Sequence, residues 1–430
     1  MNWQDIYKNK LTTAEKALQV VQSGQRVVFA HACGEPQVLV EELVAQANRL
    51  KNVEIFHMVA MGKAKYCQPG MEKHFRHHSI FLGGSTRKAV NEGRADYTPC
   101  FLHESPRLLR SLPIDVSLIQ VSRPDRHGYC SLGVSVDYTK TAAEVAKVVI
   151  AEANDQMPRT LGDSHIHVSE IDYLVETSIP LIELFPPVLT EVEEKIGYHV
   201  AQLVEDGATL QLGIGAIPDA VLHFLKDKKN LGIHSELISD GVVDLIEKGV
   251  INNSAKTLHN GKVVATFLMG TKKLYDFVDD NPFVEMYPVD YTNDPYVIAK
   301  NIKMTAINSA LQVDFTGQVC AESIGSKQYS GTGGQVDFVR GANLSPGGRS
   351  VIALPSTAMG GKLSRIVPYL DQGAAVTTLR NEVHYVATEY GYAELKGKCL
   401  RQRAEALIGI AHPDFREKLT QESKKMFNQL

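Results

Sequence analysis

One arrangement of apolar and polar positions occurs twice along the chain. From Ser23, SGQRVVFAHACGEPQVLVEELVAQAN runs as turn, apolar strand, Gly-containing loop and amphipathic helix, and from Asp206 DGATLQLGIGAIPDAVLHFLKD repeats that order. In each, a glycine turn opens a short β-type run, the loop ends at Pro36 or Pro218, and apolar residues then recur at helical spacing. A second pair of segments echoes in the same way. DVSLIQVSRPDRHGYCSLG (Asp115 to Gly133) and NSALQVDFTGQVCAESIG (Asn308 to Gly325) each read as an apolar strand, a polar turn holding Gly128 or Gly317, and further extended chain. Two related open α/β halves explain both echoes.

Between the halves, IDYLVETSIPLIELFPPVLTEVEEKIG carries Pro180, Pro186 and Pro187 ahead of a new amphipathic helix. Prolines at that density interrupt helix and sheet pairing alike, which puts the boundary near residues 180–190, with one α/β domain over 1–185 and a second over 186–430. The N-terminal MNWQDIYKNKLTTAEKAL has helical spacing, and the tail HPDFREKLTQESKKMFNQL reads as a terminal helix with Pro413 in its first turn. A length of 430 residues with 44% hydrophobic content exceeds one comfortable core, in keeping with two domains.

Charge narrows the function classes. The 45 basic and 49 acidic side chains leave a formal charge of -4, with no long run of either sign to follow a nucleic-acid backbone or an anionic membrane surface. The N-terminus lacks the apolar core of a signal peptide and no stretch approaches bilayer length, so the expectation is a soluble cytoplasmic protein without a membrane partner. Six cysteines (Cys33, Cys67, Cys100, Cys130, Cys320, Cys399) lie far apart with no C-x-x-C pair, which reads as reduced thiols. His77 with His78, and His165 with His167, bring no carboxylate or thiolate at ligand spacing, so no metal site is expected.

The stretch Gln211 to Gly241, QLGIGAIPDAVLHFLKDKKNLGIHSELISDG, concentrates the candidate chemistry. Gly213 and Gly215 follow an apolar strand and precede a helix, so backbone N–H groups there can face an anionic or carbonyl oxygen, or simply form a tight turn. A dinucleotide site is a competing reading, because Glu236 follows at the distance of a ribose-binding acid. Against it, Pro218 stands where the third glycine of that fingerprint would be. Glu236 itself sits among apolar Ile233, Leu237 and Ile238 in a strand-end pattern, where a glutamate is ordinarily solvated or salt-bridged.

Six further stretches give the chain a family resemblance: SRPDRHGYCSLG (Ser122 to Gly133), QMPRTLGDSHIHVSEID (Gln156 to Asp172), GIGAIPDAV (Gly213 to Val221), HSELISDG (His234 to Gly241), GTGGQVDFVRGA (Gly331 to Ala342) and STAMGGKLSRIVP (Ser356 to Pro368). In order and spacing they resemble the acetyl-CoA hydrolase/transferase family, in the branch that includes 4-hydroxybutyrate and butyrate:acetate CoA-transferases, over essentially the full length. The resemblance implies two open α/β domains of the CoA-transferase type, the second bearing the reactive acid. It implies that Glu236 becomes a thioester with coenzyme A, carrying the coenzyme from a short acyl-CoA (4-hydroxybutyryl-, butyryl- or acetyl-CoA) to a free carboxylate such as acetate, with no permanently bound cofactor. It matches Gln211, Leu212, Gly213, Ile214 and Gly215 to the coenzyme-binding loop, and Gly331, Thr332, Gly333 and Gly334 to a Gly-rich loop near the thioester. Amides fixed beside a reacting carbonyl stabilise its developing charge by about 3 kcal/mol per donor. Asn308 is a candidate side-chain donor or a strand-edge amide, and Lys362 and Arg365 are candidates for the coenzyme phosphates or ordinary surface cations. HACGEP (His31 to Pro36) and the residues around Met58 to Lys65 are candidates for closing over the acid, with His31 equally readable as a core histidine. A hydrolase on the same scaffold, a dinucleotide oxidoreductase and a non-catalytic coenzyme sensor are the alternatives. A homodimer is expected only from how common such symmetry is.

Overall fold

A computed structural model describes residues 2–427; Met1 and the last three residues of the tail, to which the two terminal-helix readings extend, lie outside the described residues. The chain forms two compact units, Met1–Leu184 with Val264–Thr292, and Phe185–Val263 with Asn293–Leu430. A single cut at 185/186 does not describe them, because the stretch 264–292 follows that cut in sequence and packs in the first unit.

The first unit holds β1 (Arg26–Phe29), β2 (Val53–Phe56), β3 (Phe75–Ser79), β4 (Ala95–Tyr97), β5 (Val116–Val121), β6 (Val148–Asn154) and β7 (Tyr173–Thr177). They form one sheet in the order β7-β6-β5-β1-β2-β3-β4, with every pairing parallel. Apolar side chains fill both faces. Val27 and Phe29 pack with Leu39 and Leu43 of helix α1 (Gln37–Ala45), while Val28, between them on the strand, packs with Phe56 and Tyr138 on the other face. A parallel sheet covered on both sides requires such continuous runs.

The second unit repeats the plan. Its strands are β8 (Thr209–Leu212), β9 (Gly232–Ile233), β10 (Met304–Ser309), β11 (Arg349–Ala353), β12 (Tyr385–Thr388) and β13 (Gly391–Glu394), in the order β9-β8-β10-β11-β12-β13. All pairings are parallel except the β12–β13 hairpin. Winding direction reverses between β8 and β10, and such a reversal opens a crevice at the carboxyl ends of the strands.

Both sequence echoes have structural counterparts. Strand β1, its loop and α1 correspond to β8, its loop and α2 (Ala216–Phe224). Pro36 caps α1, but Pro218 lies inside the first turn of α2, so the second loop ends at Gly215 rather than at the proline. First-turn amides have no intrahelical partner, and proline is tolerated there. In the second echo the two turns are built alike. Asp125 Oδ1 accepts from the backbone N–H of His127 (2.8 Å) and Tyr129 (3.0 Å), and Asp314 Oδ1 accepts from Thr316 (2.9 Å) and Gln318 (3.0 Å). Gly128 and Gly317 supply the left-handed residue at the same place, with φ of 87° and 93°. The tail forms a helix over Pro413–Met426 with proline in its first turn.

Candidate functional site

Glu236 lies at the carboxyl edge of the second sheet, in the short connection between β9 and a two-residue strand Leu237–Ile238. The two residues before it are stitched to β8. The His234 N–H donates to the Leu210 carbonyl at 3.1 Å, and Ser235 Oγ both donates to the Leu212 carbonyl (3.2 Å) and accepts from its N–H (3.3 Å). The Glu236 backbone therefore has little freedom, and its half-buried side chain has a defined direction.

The carboxyl group meets two groups from distant parts of the chain. Asn293, fully buried, donates from Nδ2 to Glu236 Oε2 at 3.0 Å. Gly334 lies so close that a Cβ placed on it would stand 1.8 Å from the same oxygen and 2.4 Å from Asn293 Nδ2. Its φ of -89° is open to any residue, so space rather than conformation requires glycine here. Gly334 caps the ten-residue helix α3 (Gln335–Leu344), which sets the carboxylate beside the positive end of a helix. The preceding loop is anchored by Glu322, whose carbonyl accepts from Tyr329 N–H (2.7 Å) and Ser330 N–H (3.0 Å).

The other loop residues singled out in the sequence fall into two groups. Gln211 and Asn308, on neighbouring strands β8 and β10, exchange amide hydrogen bonds of 3.3 and 3.1 Å, and Leu212 is the residue to which Ser235 is tied. Gly213, Ile214 and Gly215 form the turn into α2, with Gly215 at φ 103° and ψ -175° as its cap. In the first turn of α2, burial, and then the nearby Asp240 carboxylate, push the Asp219 carboxyl up to about 6. Gly333 completes the Gly-rich loop in the left-handed region at φ 55°.

Lys362 and Arg365 are elsewhere occupied or free. Lys362 is exposed at the tip between the short strands Thr357–Ala358 and Leu363–Ser364, with no hydrogen bond or ion pair among the described residues. Arg365 is spent on the fold: Nε donates to the Thr357 carbonyl at 3.1 Å and Nη1 to the Leu311 carbonyl at 3.3 Å. In the first unit His31 is a core residue, 1% exposed, with Nδ1 3.2 Å from Asp137 Oδ2 and its ring edge-on to Phe267 at 4.6 Å. Glu35, at the end of the same loop, is also buried, accepts from the Gly62 N–H at 2.9 Å, and is raised above the usual carboxylate range by that burial. Sequence reasoning missed Asn293. It directly precedes the Asp294 cap of a four-residue helix, Pro295–Ile298, and nothing in that local pattern marks its side chain for a carboxylate 57 residues away.

A carboxyl group held by an amide donor and a glycine-capped helix, at the carboxyl edge of an open parallel sheet, defines a two-unit α/β protein equipped for carboxyl-group chemistry. The comparisons with known proteins make the class specific. The chain belongs to the acetyl-CoA hydrolase/transferase family, whose N-terminal domain model matches residues 1–183 and whose C-terminal domain model matches residues 270–423. It is 67% identical over 429 residues to the 4-hydroxybutyrate coenzyme A transferase of Clostridium kluyveri, covering 99% of this chain and 100% of that one. Among solved structures, RipA from Yersinia pestis superposes with a TM-score of 0.95 at 40% identity over 99% of this chain and 100% of that one. The 4-hydroxybutyrate CoA-transferase from Porphyromonas gingivalis superposes with a TM-score of 0.86 at 45% identity, over 99% of this chain and 100% of that one.

Proposed function

We propose that the protein is a CoA-transferase that moves coenzyme A between short-chain acyl-CoA, 4-hydroxybutyryl-CoA foremost, and a free carboxylate such as acetate, with Glu236 as the covalent carrier. The substrate class rests on the 67% identical relative, which is named for 4-hydroxybutyrate, and on the 38% identical butyryl-CoA:acetate CoA-transferase of Anaerostipes caccae. The role of Glu236 rests on one observation: its half-buried carboxyl is fixed by Asn293 against Gly334.

The chemistry follows from those contacts. Glu236 attacks the acyl-CoA carbonyl, expelling CoA thiolate and leaving a mixed anhydride; the thiolate then attacks the glutamyl carbonyl, releasing the first acid and leaving glutamyl-CoA. A second carboxylate attacks that thioester, and the same two steps in reverse return coenzyme A on the new acid. In each tetrahedral intermediate on the glutamyl carbon, Asn293 Nδ2 is a donor for the developing oxyanion, and the amides around Gly333 and Gly334 are candidates for a second. Each such donor contributes about 3 kcal/mol. Gln211, Leu212, Gly213, Ile214, Gly215 and Asn308 are retained as the coenzyme-contacting set, and Lys362, with an uncommitted ammonium, as a phosphate partner. The same reading takes the two compact units as the two transferase domains, with the change of unit near residue 185 and the stretch 264–292 belonging to the first, the cytoplasm as the location and a homodimer as the working state. No helix among the described residues is long and apolar enough to cross a membrane.

Acyl-CoA supplied alone should leave the mass of coenzyme A on the peptide containing Glu236, and borohydride should reduce that adduct and inactivate the enzyme. Full acyl-CoA:acetate exchange by Glu236→Ala would end the assignment. Water as the acceptor is the second reading, since the family includes hydrolases, and a rate of thioester loss indifferent to acetate would favour it.

A further inference from the structure

The strand that delivers Glu236 is unusual in how its edge is closed. β9 is two residues long and lies at the margin of the sheet, paired on one side only, with β8. Gly232 and His234 turn their N–H groups toward that neighbour, donating to the Ala208 and Leu210 carbonyls at 2.9 and 3.1 Å. Ile233, between them, turns its N–H and carbonyl the other way, where a further strand would normally lie. Side chains take its place. The Ile233 N–H donates to Asn253 Oδ1 at 2.8 Å, and the Ile233 carbonyl accepts from Lys256 Nζ at 2.7 Å.

Both side chains are deeply buried, Asn253 at 0% and Lys256 at 3% exposure. A lysine is seldom taken out of water unless its ammonium has defined partners. Lys256 Nζ also donates to the Lys262 carbonyl at 2.7 Å, and its stem runs over Gly232 so closely that a Cβ there would meet Lys256 Cγ at 2.5 Å. Asn253 adopts φ 58°, a conformation that asparagine tolerates better than most residues. The backbone beside them is docked too, since the Asn252 and Asn253 N–H groups both donate to the Leu231 carbonyl, at 3.1 and 3.0 Å.

We infer that Asn253 and Lys256 are positioning residues for Glu236, acting as a side-chain substitute for a missing strand that locks the Ile233 peptide and through it the direction of the acid. The inference rests on the carrier role proposed for Glu236. With the clamp intact, three consecutive residues before the acid are fixed: Ile233 by Asn253 and Lys256, His234 and Ser235 by β8. Without it, the Ile233 peptide can rock at the open edge, and the carboxyl drifts from Asn293 and Gly334. Misplacement of a reacting group by about 1 Å costs on the order of a hundredfold in rate.

Lys256→Met keeps the stem over Gly232 and removes the donor. The expected result is a fall of about ten- to a hundredfold in kcat for butyryl-CoA:acetate exchange, with KM for the acyl-CoA nearly unchanged and glutamyl-CoA formation slowed by the same factor as kcat. Lys228→Met is the control, because Lys228 Nζ caps the Val204 carbonyl at 2.6 Å in the same unit without touching the Glu236 segment. It should lose comparable thermal stability with kcat intact. Equal kcat in the two variants overturns the inference. Should Lys256→Met not fold, Asn253→Gly, which accepts the positive φ and removes the Ile233 acceptor, should show the same kcat loss, and Asn253→Asp, which keeps an acceptor oxygen, should restore most of it. Wild-type kcat in Asn253→Gly refutes the clamp. Glu236→Ala separates the two ideas: if it abolishes exchange while the clamp variants are unaffected, only the clamp fails, and if it retains exchange, the carrier role fails first.

Discussion

Gly334→Ala tests the carboxyl environment with one methyl group. The added Cβ would stand 1.8 Å from Glu236 Oε2, whereas real Cβ contacts essentially never fall below 3.0 Å, so the carboxyl or the helix cap must retreat by at least 3.0 - 1.8 = 1.2 Å. Asn293 is crowded by the same methyl at 2.4 Å, so the group that would hold the carboxyl in place is displaced with it. A shift of that size in a reacting atom costs on the order of a hundredfold, about 2.7 kcal/mol of transition-state stabilisation. Crowding buried Asn293 costs the folded state about 1–3 kcal/mol, which the backbone offsets in part. Gly334 has φ -89°, a value alanine adopts without strain, and replacing glycine at such a position lowers the entropy of the unfolded chain, which is worth about 0.4–1 kcal/mol. The assay is butyryl-CoA:acetate exchange beside a thermal melt and mass spectrometry of the Glu236 peptide. The expectation is kcat down by two orders of magnitude, little coenzyme adduct, and a melting temperature within a few degrees of wild type. Wild-type exchange with an unchanged melt would show that the carboxyl does not work from the place where it rests.

Two further substitutions probe different terms. Asn293→Ala removes the donor at 3.0 Å from the carboxyl and should lower kcat by about ten- to a hundredfold, the range for a hydrogen bond to a charged group; a pre-steady-state measurement of adduct formation should slow in parallel, and an unchanged rate would remove Asn293 from the site. Glu152 concerns stability. It is fully buried in the first unit, and burial pushes its carboxyl from 4.5 up to about 7 despite hydrogen bonds from the Val38 and Leu39 N–H groups at the start of α1. Between those pH values the folded chain keeps a proton that the unfolded chain has released, so stability falls as pH rises through this window, by about 3 kcal/mol when complete. Glu152→Gln should flatten that part of the profile and leave the variant the more stable at pH 8, as read from urea midpoints at pH 5 and pH 8; an unaltered profile would mean the proton is held elsewhere.

Much of the architecture was legible because it is periodic and local. The strand–loop–helix units around Val27 and Leu210 announce themselves through apolar runs and glycine turns, and the two Asp-Gly turns at Asp125 and Asp314 can be matched by eye once the echo is noticed. In the sequence, the role proposed for Glu236 comes only from a family motif, since its local setting is that of any strand-end acid. What pattern cannot supply is partnership across distance. Asn293 reaches the carboxyl from a segment with no chemical signature, and Gly334 is required by a clash with a side chain far away in sequence rather than by its own backbone angles. Stretch 264–292 escaped for a related reason: it returns to the first unit after the chain has begun the second, and no composition change marks the return.

The manner in which β8, β9 and β10 pair has a bearing on synthesis and folding. The edge strand with its acid can dock onto β8 early, because only about twenty residues separate them, whereas β10 must come from far along the chain, as the register of Thr209 with Met304 shows. Closing loops of that length slows assembly. Asn293 and Gly334 come from segments that flank β10, so the surroundings of the Glu236 carboxyl are assembled only when those long-range pairings are complete.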